Sequence, residues 1–524
     1  MIFRSPYPDV TIPDMPLAPF VLRHAARLAD KPALVDGVTG HVLTFGRLAE
    51  AVERTAAGLA ARGFRKGDVL AISAPNCPEF GVAFYAALSL GGVVTPANPA
   101  LTADELARQL NDAGATYLLT VPGCLGPAVA AVERSNVREI FVIGQAPGAT
   151  SFADLHDSDA LAAAIAIEPS HDVAVLPYSS GTTGLPKGVM LTHANLVANT
   201  VQVTAVEPLT EADILIGILP FFHVYGMTVL LNYALSVGAT VVTLPRFELE
   251  QFLQTMQAYG VTYAYLAPPI VLALAKQPVV ERYDLSRLKI ITCGAAPLSS
   301  DIAAGCEDRL GCVVKQGYGL TEASPVTHMS PPESNRIKSA SVGSLLPNTE
   351  GKIVDPATGV ALGANQQGEI WIRGPQVMRG YFNQPQASAA MIDTEGWLRT
   401  GDIGYVDEDG FFYIVDRLKE LIKVKGFQVA PAELEGVLLA HPAVADAAVI
   451  PYPDEEAGEI PKAFVVLRGA ATPEDLIGFV AARVAPYKKV RLLEIVDHIP
   501  KSASGKILRR VLVERERIGQ LVRG

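Results

Sequence analysis

Apolar residues recur along this chain with two periods, and the alternation between them sets out its elements. Thr44 to Gly63, TFGRLAEAVERTAAGLAARG, places Leu48, Val52, Ala56 and Leu59 on one face and ends in glycine, the pattern of an amphipathic helix. Asp68 to Ile72 then reads as a strand, Phe80 to Leu90 as a helix and Gly92 to Pro96 as a strand, a succession that predicts a parallel α/β unit. A second such succession runs from about Asp172 to Val326, with helices near Leu249 to Tyr259 and Ser300 to Leu310. From Gly343 to Val415 short β runs take over, Gly368 to Ile372 and Tyr405–Val406 among them, and Asp409-Gly410 predicts a hairpin. Further on, Pro431 at a first helical turn, strands near Ala447 to Ile450 and Ala463 to Leu467, and a helix opened by Thr472-Pro473 predict an α+β module. A last helix is expected over Ile507 to Val513, and the Ala-rich stretch Ser158 to Ala166 fits a surface helix or a linker. The expected fold class is α/β, a large N-terminal domain of two α/β subdomains plus a small β subdomain, followed by an α+β C-terminal domain.

Composition sharpens this outline. A chain of 524 residues, 49% of them hydrophobic, is too long for one core at about 100 to 200 residues per domain. A net charge of -11 leaves no basic excess for a nucleic-acid backbone, so small anions must be met by local cations. The five cysteines, Cys77, Cys124, Cys293, Cys306 and Cys312, have no metal-ligand spacing and read as reduced thiols. The opening MIFRSPYPDVTIPDMP lacks a basic segment followed by an apolar one, and the apolar run Tyr263 to Ala275 is short and broken by Pro268 and Pro269. A soluble cytoplasmic protein without a transmembrane segment is expected.

Chemistry concentrates at Ser179 to Gly188, SSGTTGLPKG. Three glycines let backbone N–H groups approach an anion, while Ser179, Ser180, Thr182, Thr183 and the Lys187 ammonium complete a cradle suited to phosphate. Strand-like Val173 to Leu176 precedes the segment, Val189 to Leu191 follows it, and a helix starts only at Thr192, so the loop is expected to join two strands. A nucleotide-binding loop of the Walker type would run straight into a helix, which this one does not. On these residues alone, a surface turn without a ligand stays open.

Further segments offer complementary groups. Phe221 to Gly226, FFHVYG, sets His223 among aromatics; Cys293 to Leu298, CGAAPL, places small residues at a strand's carboxyl end, where an open sheet leaves room for a ligand. Gln316 to Glu322, QGYGLTE, joins an aromatic face to a hydroxyl and a carboxylate. Asp402 and Arg417 lie in TGDIGYVDEDGFFYIVDR, Lys423 and Lys425 lie within IKVKG, and Lys506 ends PKSASGK just before a helix. Each taken singly is also met in ordinary packing, turns or solvated faces.

Taken in order, SSGTTGLPKG with VMLTHANL, GYGLTE, the TGD…DRLKELIKVKG segment and PKSASGK resemble the signatures of the adenylate-forming superfamily, most nearly 4-coumarate:CoA ligases and their bacterial relatives. The resemblance implies an AMP-binding N-terminal adenylation domain over residues 1–417 and a mobile C-terminal domain over 418–524, hinged near Lys419. It implies that Ser179, Ser180, Gly181, Thr182, Thr183, Gly184 and Lys187 hold the ATP phosphates. Gln316, Gly317 and Tyr318 would bind the nucleotide, Tyr318 with its face to the purine, Thr321 meet the α-phosphate, Glu322 hold magnesium, Asp402 accept both ribose hydroxyls and Arg417 meet the ribose or phosphate. Lys506 would be the catalytic lysine, acting with Thr183 and Glu322.

Around the acyl group the resemblance sets His223, Tyr225, Gly226, Gly294, Ala295, Gly317, Pro325 and Val326, with Lys419 and Lys423, and along coenzyme A it sets Arg246, Lys425 and Gly426. Met329 would help Val326 close the far end of the pocket. The implied activity is an ATP-dependent acid:CoA ligase that passes through an acyl-adenylate and takes a small-molecule carboxylic acid, ATP and CoA. A cinnamate-type acid is favoured. Medium- or long-chain fatty acids, a carrier-loading acyl-AMP ligase, a luciferase-like enzyme and a non-catalytic binding protein are the alternatives.

Overall fold

Strands buried on both faces, such as Val69–Ser73 (VLAIS), organise the larger part of the molecule, as expected where helices cover a parallel sheet. The computed structural model describes residues 1–157, 165–179, 186–338, 340–425, 427–454, 456–502 and 505–523, apart from the side chains of Asp157 and residues 518–523. Residues 158–164, most of the Ala-rich stretch, lie outside them.

Among the described residues, the first sheet runs Thr150–Ser151, Glu139–Val142, Ala115–Thr120, Val69–Ser73, Val93–Pro96, Val173–Val175, Lys187–Thr192, Tyr178–Ser179, with Gly380–Tyr381 also paired to Lys187–Thr192. It is parallel as far as Val173–Val175 and antiparallel beyond. The second runs Ser344–Leu345, Val326–Met329, Val313–Gly319, Ile290–Cys293, Tyr263–Leu266, Ile214–Gly217, Thr240–Thr243, Pro32–Asp36, Val42–Thr44, with a parallel centre and antiparallel edges. An antiparallel third sheet takes Phe3–Arg4, Glu350–Val354, Gly368–Arg373, Leu398–Val406 and Phe412–Arg417. A fourth, built from Ile422–Val424, Phe427–Val429, Val444–Asp454, Gly458–Leu467 and Leu492–Ile495, has its own core of Ile422, Val429, Leu434, Val449 and Leu476.

Local signals place most helices where the pattern predicts them. Thr44 Oγ1 accepts from Arg47 N at the start of Phe45–Ala61, and Leu249–Tyr259 stops at Gly260 in the left-handed region (φ 61°). Thr192 and Asn195 form a reciprocal cap for the helix His193–Thr204, as Thr472 and Asp475 do for Pro473–Ala481. Pro268 and Pro269 open the helix Pro268–Lys276 directly after the strand Tyr263–Leu266, and among the described residues no helix is long and apolar enough to cross a membrane.

Two expectations are corrected. The α/β unit expected to begin near Asp172 gives Val173–Val175 and Lys187–Thr192 to the first sheet, while Pro32–Asp36 from the chain's beginning supplies the second. Periodicity reveals that a segment is a strand but not which sheet it joins. The last helix spans Arg509–Arg523 rather than starting at Ile507, because Ile507 pairs with Lys501 and Leu508 N donates to Pro500 O at 2.8 Å.

Candidate active site

The phosphate-type loop is held at its feet. Ser179 lies opposite Lys187 in an antiparallel pair, so the segment does join two strands. Ser180, Gly181, Thr182, Thr183 and Gly184 lie outside the described residues. Ser179 Oγ donates to Glu322 Oε1 at 3.0 Å, and Tyr381 Oη donates to the same oxygen at 2.9 Å. The Lys187 ammonium sits 4.9 Å from the centre of the Tyr381 ring. A buried carboxylate needs donors, and these two hydroxyls satisfy Glu322 while tying it to both feet of the loop. Burial, reinforced by Glu322, pushes the Tyr381 phenol up.

A second corner forms where strands of two sheets meet. Asp402 and Arg417 are register partners at the end of the third sheet, with Arg417 Nε 3.3 Å from Asp402 Oδ1. Tyr318 Oη donates to Asp402 Oδ2 at 2.5 Å. Each carboxylate oxygen keeps a further lone pair, so two sugar hydroxyls can still be accepted. Burial pulls the Arg417 pKa down, but the Asp402 and Glu420 carboxylates more than offset it and hold the guanidinium above its ordinary value. Gln316 Oε1 accepts from Leu298 N at 3.1 Å, which straps the CGAAPL segment to its neighbouring strand. Thr321 opens a short 3₁₀ turn that carries Glu322 inward.

The acyl-pocket candidates form an adjoining group. His223 Nδ1 accepts from Tyr225 N at 3.2 Å, and burial, with the nearby Lys506 charge, pushes the imidazole down to about 3, so it is neutral at working pH. Tyr225 Oη donates to Thr292 O at 3.2 Å, and a Cβ on Gly294 would stand 3.1 Å from the Tyr225 hydroxyl. Ala295 lies in the left-handed region (φ 75°). A Cβ on Gly317 would lie 3.3 Å from His328 O, whereas one on Gly226 would come within 2.4 Å of Pro220 O, a close backbone approach. Pro325 follows a cis bond from Ser324, and Val326 N and O both bond to the Asn199 amide, at 3.0 and 2.7 Å. Met329 is buried on the strand Val326–Met329.

Lys506 joins the two groups. Its loop is closed by Ser502 N donating to Lys506 O at 2.8 Å and Gly505 N to Ser502 O at 2.9 Å. A Cβ on Gly505 would come 3.3 Å from Ala267 and 3.5 Å from Pro269, so the loop lies against the large part of the molecule. There burial, then Arg417, lowers the Lys506 pKa, while Asp402, Glu322 and Glu420 oppose the shift. The ammonium therefore stands within the influence of the Asp402 corner, Glu322 and His223 together.

The remaining candidates are Arg246, Lys425 and Gly426 of the CoA set and Lys419 and Lys423 of the acyl set. Lys425 adopts a left-handed φ of 48° and its ammonium pairs with Glu456; Lys423 is exposed, with its backbone N bonded to Glu459 Oε2 at 2.8 Å. Lys419 and Arg246 are exposed, and Gly426 lies outside the described residues. Sequence reading missed Tyr381 and Asn199. Tyr381 sits on a two-residue strand without periodicity, and Asn199 looks like any polar position of a helix.

Nearly the whole chain is similar to known proteins. The sequence profile described as "AMP-binding enzyme" matches residues 21–382, and that described as "AMP-binding enzyme C-terminal domain" matches residues 433–506. The chain is 45% identical to 4-coumarate--CoA ligase 5 of Oryza sativa subsp. japonica, over 98% of this chain and 96% of the relative. It is 43% identical to 4-coumarate--CoA ligase 1 of Petroselinum crispum, over 99% and 98%. Among solved structures, the anthranilate CoA ligase AuaEII in complex with anthranoyl-AMP superposes with a TM-score of 0.90 at 27% identity, covering 98% of this chain and 99% of that one. ATP-bound MatB from Rhodopseudomonas palustris gives 0.86 at 29% identity, covering 96% and 99%. With a profile match over most of its length and full-length relatives well above 40% identity, the chain belongs to the AMP-binding enzyme family.

Proposed function

We propose that this protein is an ATP-dependent acid:CoA ligase of the 4-coumarate type, acting in two steps. First, a carboxylate oxygen of the acid attacks the α-phosphorus of ATP; the bond from that phosphorus to the bridging oxygen breaks, and pyrophosphate leaves with the electron pair. The acyl-adenylate then loses AMP when the CoA thiol sulfur attacks its carbonyl carbon and the thiol proton passes to solvent. The reading is carried by Lys506, a buried ammonium that feels the charges of Arg417, Asp402 and Glu322 and acts in turn on His223, on a loop lying against Ala267 and Pro269. There it can neutralise charge that builds on carboxylate and phosphoryl oxygens as the first step proceeds.

In this reading, the loop from Ser179 to Lys187 holds the leaving phosphates and Thr321 the α-phosphate. Asp402 accepts the ribose hydroxyls, Arg417 meets ribose or phosphate, and Tyr318 flanks the base. Glu322 fits magnesium: it is one buried carboxylate whose hydroxyl donors both meet Oε1, and that ion prefers a carboxylate with substrate phosphates to an all-protein cage. Magnesium, when bound, supplies charge neutralisation to those phosphates. The acid is taken to lie along Tyr225, Gly294, Gly317 and Val326, uncharged residues that suit an aromatic ring. Residues 1–417 form the adenylation domain and 418–524 the moving one. Rotation about Lys419 withdraws Lys506 and brings Lys425 and Gly426 toward the acyl-adenylate. The unpaired cysteines suit a reducing compartment, and we place the enzyme in the cytoplasm.

The test is AMP release by purified protein with a panel of cinnamate-type and fatty acids, with and without CoA. Coumarate-type acids are expected to give the highest kcat/KM with CoA. A higher value for an alkyl acid would overturn the choice of acid, and absence of acid-dependent pyrophosphate–ATP exchange with every acid would overturn the ligase.

A further inference from the structure

Three residues beyond Lys506, Arg509 is drawn inward instead of facing solvent, its side chain only 15% exposed. Nη1 donates to Glu420 Oε2 at 2.5 Å, Nη2 to both oxygens of Glu435 at 2.8 and 2.7 Å, and Nε to Val449 O at 3.2 Å. The partners come from different parts of the chain. Glu435 belongs to the helix Pro431–Leu439 of the small domain, and Glu420 to the turn where Glu420 N and Leu421 N donate back to Arg417 O at 2.9 and 3.2 Å.

A third carboxylate reaches this cluster from the large part of the molecule. Asp416, the penultimate residue of Phe412–Arg417, is buried; its Oδ1 accepts from Arg417 N at 2.7 Å and its Oδ2 from Ala432 N at 2.9 Å. Ala432 lies in the first turn of Pro431–Leu439, where a free backbone N–H and the helix dipole favour an anion. The guanidinium of Arg509 acts on Asp416 as well. Burial nevertheless pushes Asp416 up, and pushes Glu435 up to about 7.

Anchoring the small domain internally needs only Arg509 and Glu435, since both belong to it and Glu435 Oε1 also accepts from Val449 N at 2.8 Å. Asp416 and Glu420 are superfluous to that purpose. Asp416 lies before the linking turn and bonds to a backbone group beyond it. Glu420 is on the turn itself and bonds to the residue three places past Lys506. If the small domain turns about this link, the bond from Ala432 N to Asp416 is the contact that changes, and the Glu420–Arg509 geometry changes with the turn.

We propose that Asp416, Glu420 and Arg509 form a latch across the linking turn, which holds the small domain in the orientation that inserts Lys506 and thereby favours the adenylation step over the CoA step. These are positioning residues: they touch neither acid nor nucleotide and act by setting where Lys506 stands. The assignment of the two steps rests on the ligase reading given above, whereas the orientation of the small domain does not.

The experiment uses the full-length chain and the substitutions Asp416→Asn, Glu420→Gln and Arg509→Lys. Labelled pyrophosphate–ATP exchange with the best acid of the panel reads adenylation, and CoA-dependent consumption of supplied acyl-adenylate reads thioester formation. Asp416→Asn and Glu420→Gln are each expected to lower exchange about five- to fifty-fold, with thioester formation unchanged or faster and a thermal midpoint close to that of the parent. Separately, spin labels on Asp355 and Glu474, one on each side of the turn, report the distance distribution without substrates; both substitutions are expected to shift it away from the parent's closed population. Arg509→Lys keeps the charge but loses the fork, and is expected to shift the distribution in the same direction. Equal loss in both half-reactions, or an unchanged distance distribution in Asp416→Asn and Glu420→Gln, would overturn the latch. If no acid supports exchange by the parent, the ligase reading fails, and the distance measurement still decides the latch. If Asp416→Asn does not fold, Glu420→Gln carries the test.

Discussion

Lys506 is an ammonium kept among groups that both repel and attract it, and its chemistry is decided by that balance. Lys506→Ala is expected to reduce adenylation by about two to three powers of ten, the usual loss when a preorganised electrostatic group is removed, while CoA-dependent use of supplied acyl-adenylate survives. Comparing the two half-reactions checks this. Because burial and Arg417 lower its pKa, the positive charge is complete at low pH and is lost as pH rises through that lowered value, earlier than for an exposed lysine. Adenylation should therefore have an alkaline limb below the ordinary lysine range, and Lys506→Arg should move that limb upward even at reduced rate, since a guanidinium stays charged. His223, its imidazole pushed down to about 3 by burial and Lys506 and so neutral above that, contributes no acid limb near neutrality. At the other end of the site, Tyr381→Phe removes one of the two hydroxyls on Glu322 but keeps the ring beneath Lys187. A hydrogen bond to a charged group is worth about 1.5 to 3 kcal/mol to the folded state, so the substitution should lower the thermal midpoint, and pyrophosphate–ATP exchange should fall as Glu322 loses its position. The resemblance carried Glu322, Asp402 and Lys506 to the site, because each sits in a dense motif; Tyr381 was invisible, since only the pairing of Gly380–Tyr381 with Val189 and Met190 brings it there.

At the level of elements, the glycines divide by what stands behind them. Gly294 faces the Tyr225 ring, so an added methyl presses on a movable side chain. Gly226 and Gly319 face backbone: a Cβ would lie 2.4 Å from Pro220 O in the first case and 2.0 Å from Pro325 O in the second. Gly226→Ala is thus expected to destabilise the fold by about 1 to 3 kcal/mol, as overpacking does, and a lowered thermal midpoint would show it. Gly294→Ala should instead leave the midpoint nearly unchanged and raise KM for a bulky aromatic acid, measurable across the acid panel. The helices with capping residues at their starts, Phe45–Ala61, His193–Thr204 and Pro473–Ala481, were legible in the sequence because cap and period are local signals. The start of the last helix was not, because the pairing of Lys501 with Ile507 is a tertiary decision that overrides helical pattern. Asn199 belongs with these: its value lies in holding Val326, which is 127 positions away.

For the whole molecule, the alternation of patterns foretold an α/β body with a β subdomain and an α+β tail, yet it could not foretell how the two large sheets share the chain. In the two-step reading, a bulky residue at Gly426 should slow thioester formation while leaving pyrophosphate–ATP exchange intact, the reverse of Lys506→Ala, and the same pair of assays checks it. The sharing of the sheets has a further consequence for how such a chain is made. Val35 must wait for Val242, its partner roughly 200 residues later. At synthesis rates of about 5 to 20 residues per second, that is a delay of roughly ten to forty seconds on the ribosome, during which this apolar strand can pair only with Val42–Thr44 and its other edge stays open. That open edge is exposed to wrong pairing in the meantime, and slower or faster translation through the first half of the message should alter the yield of folded protein more than the same change in the second half.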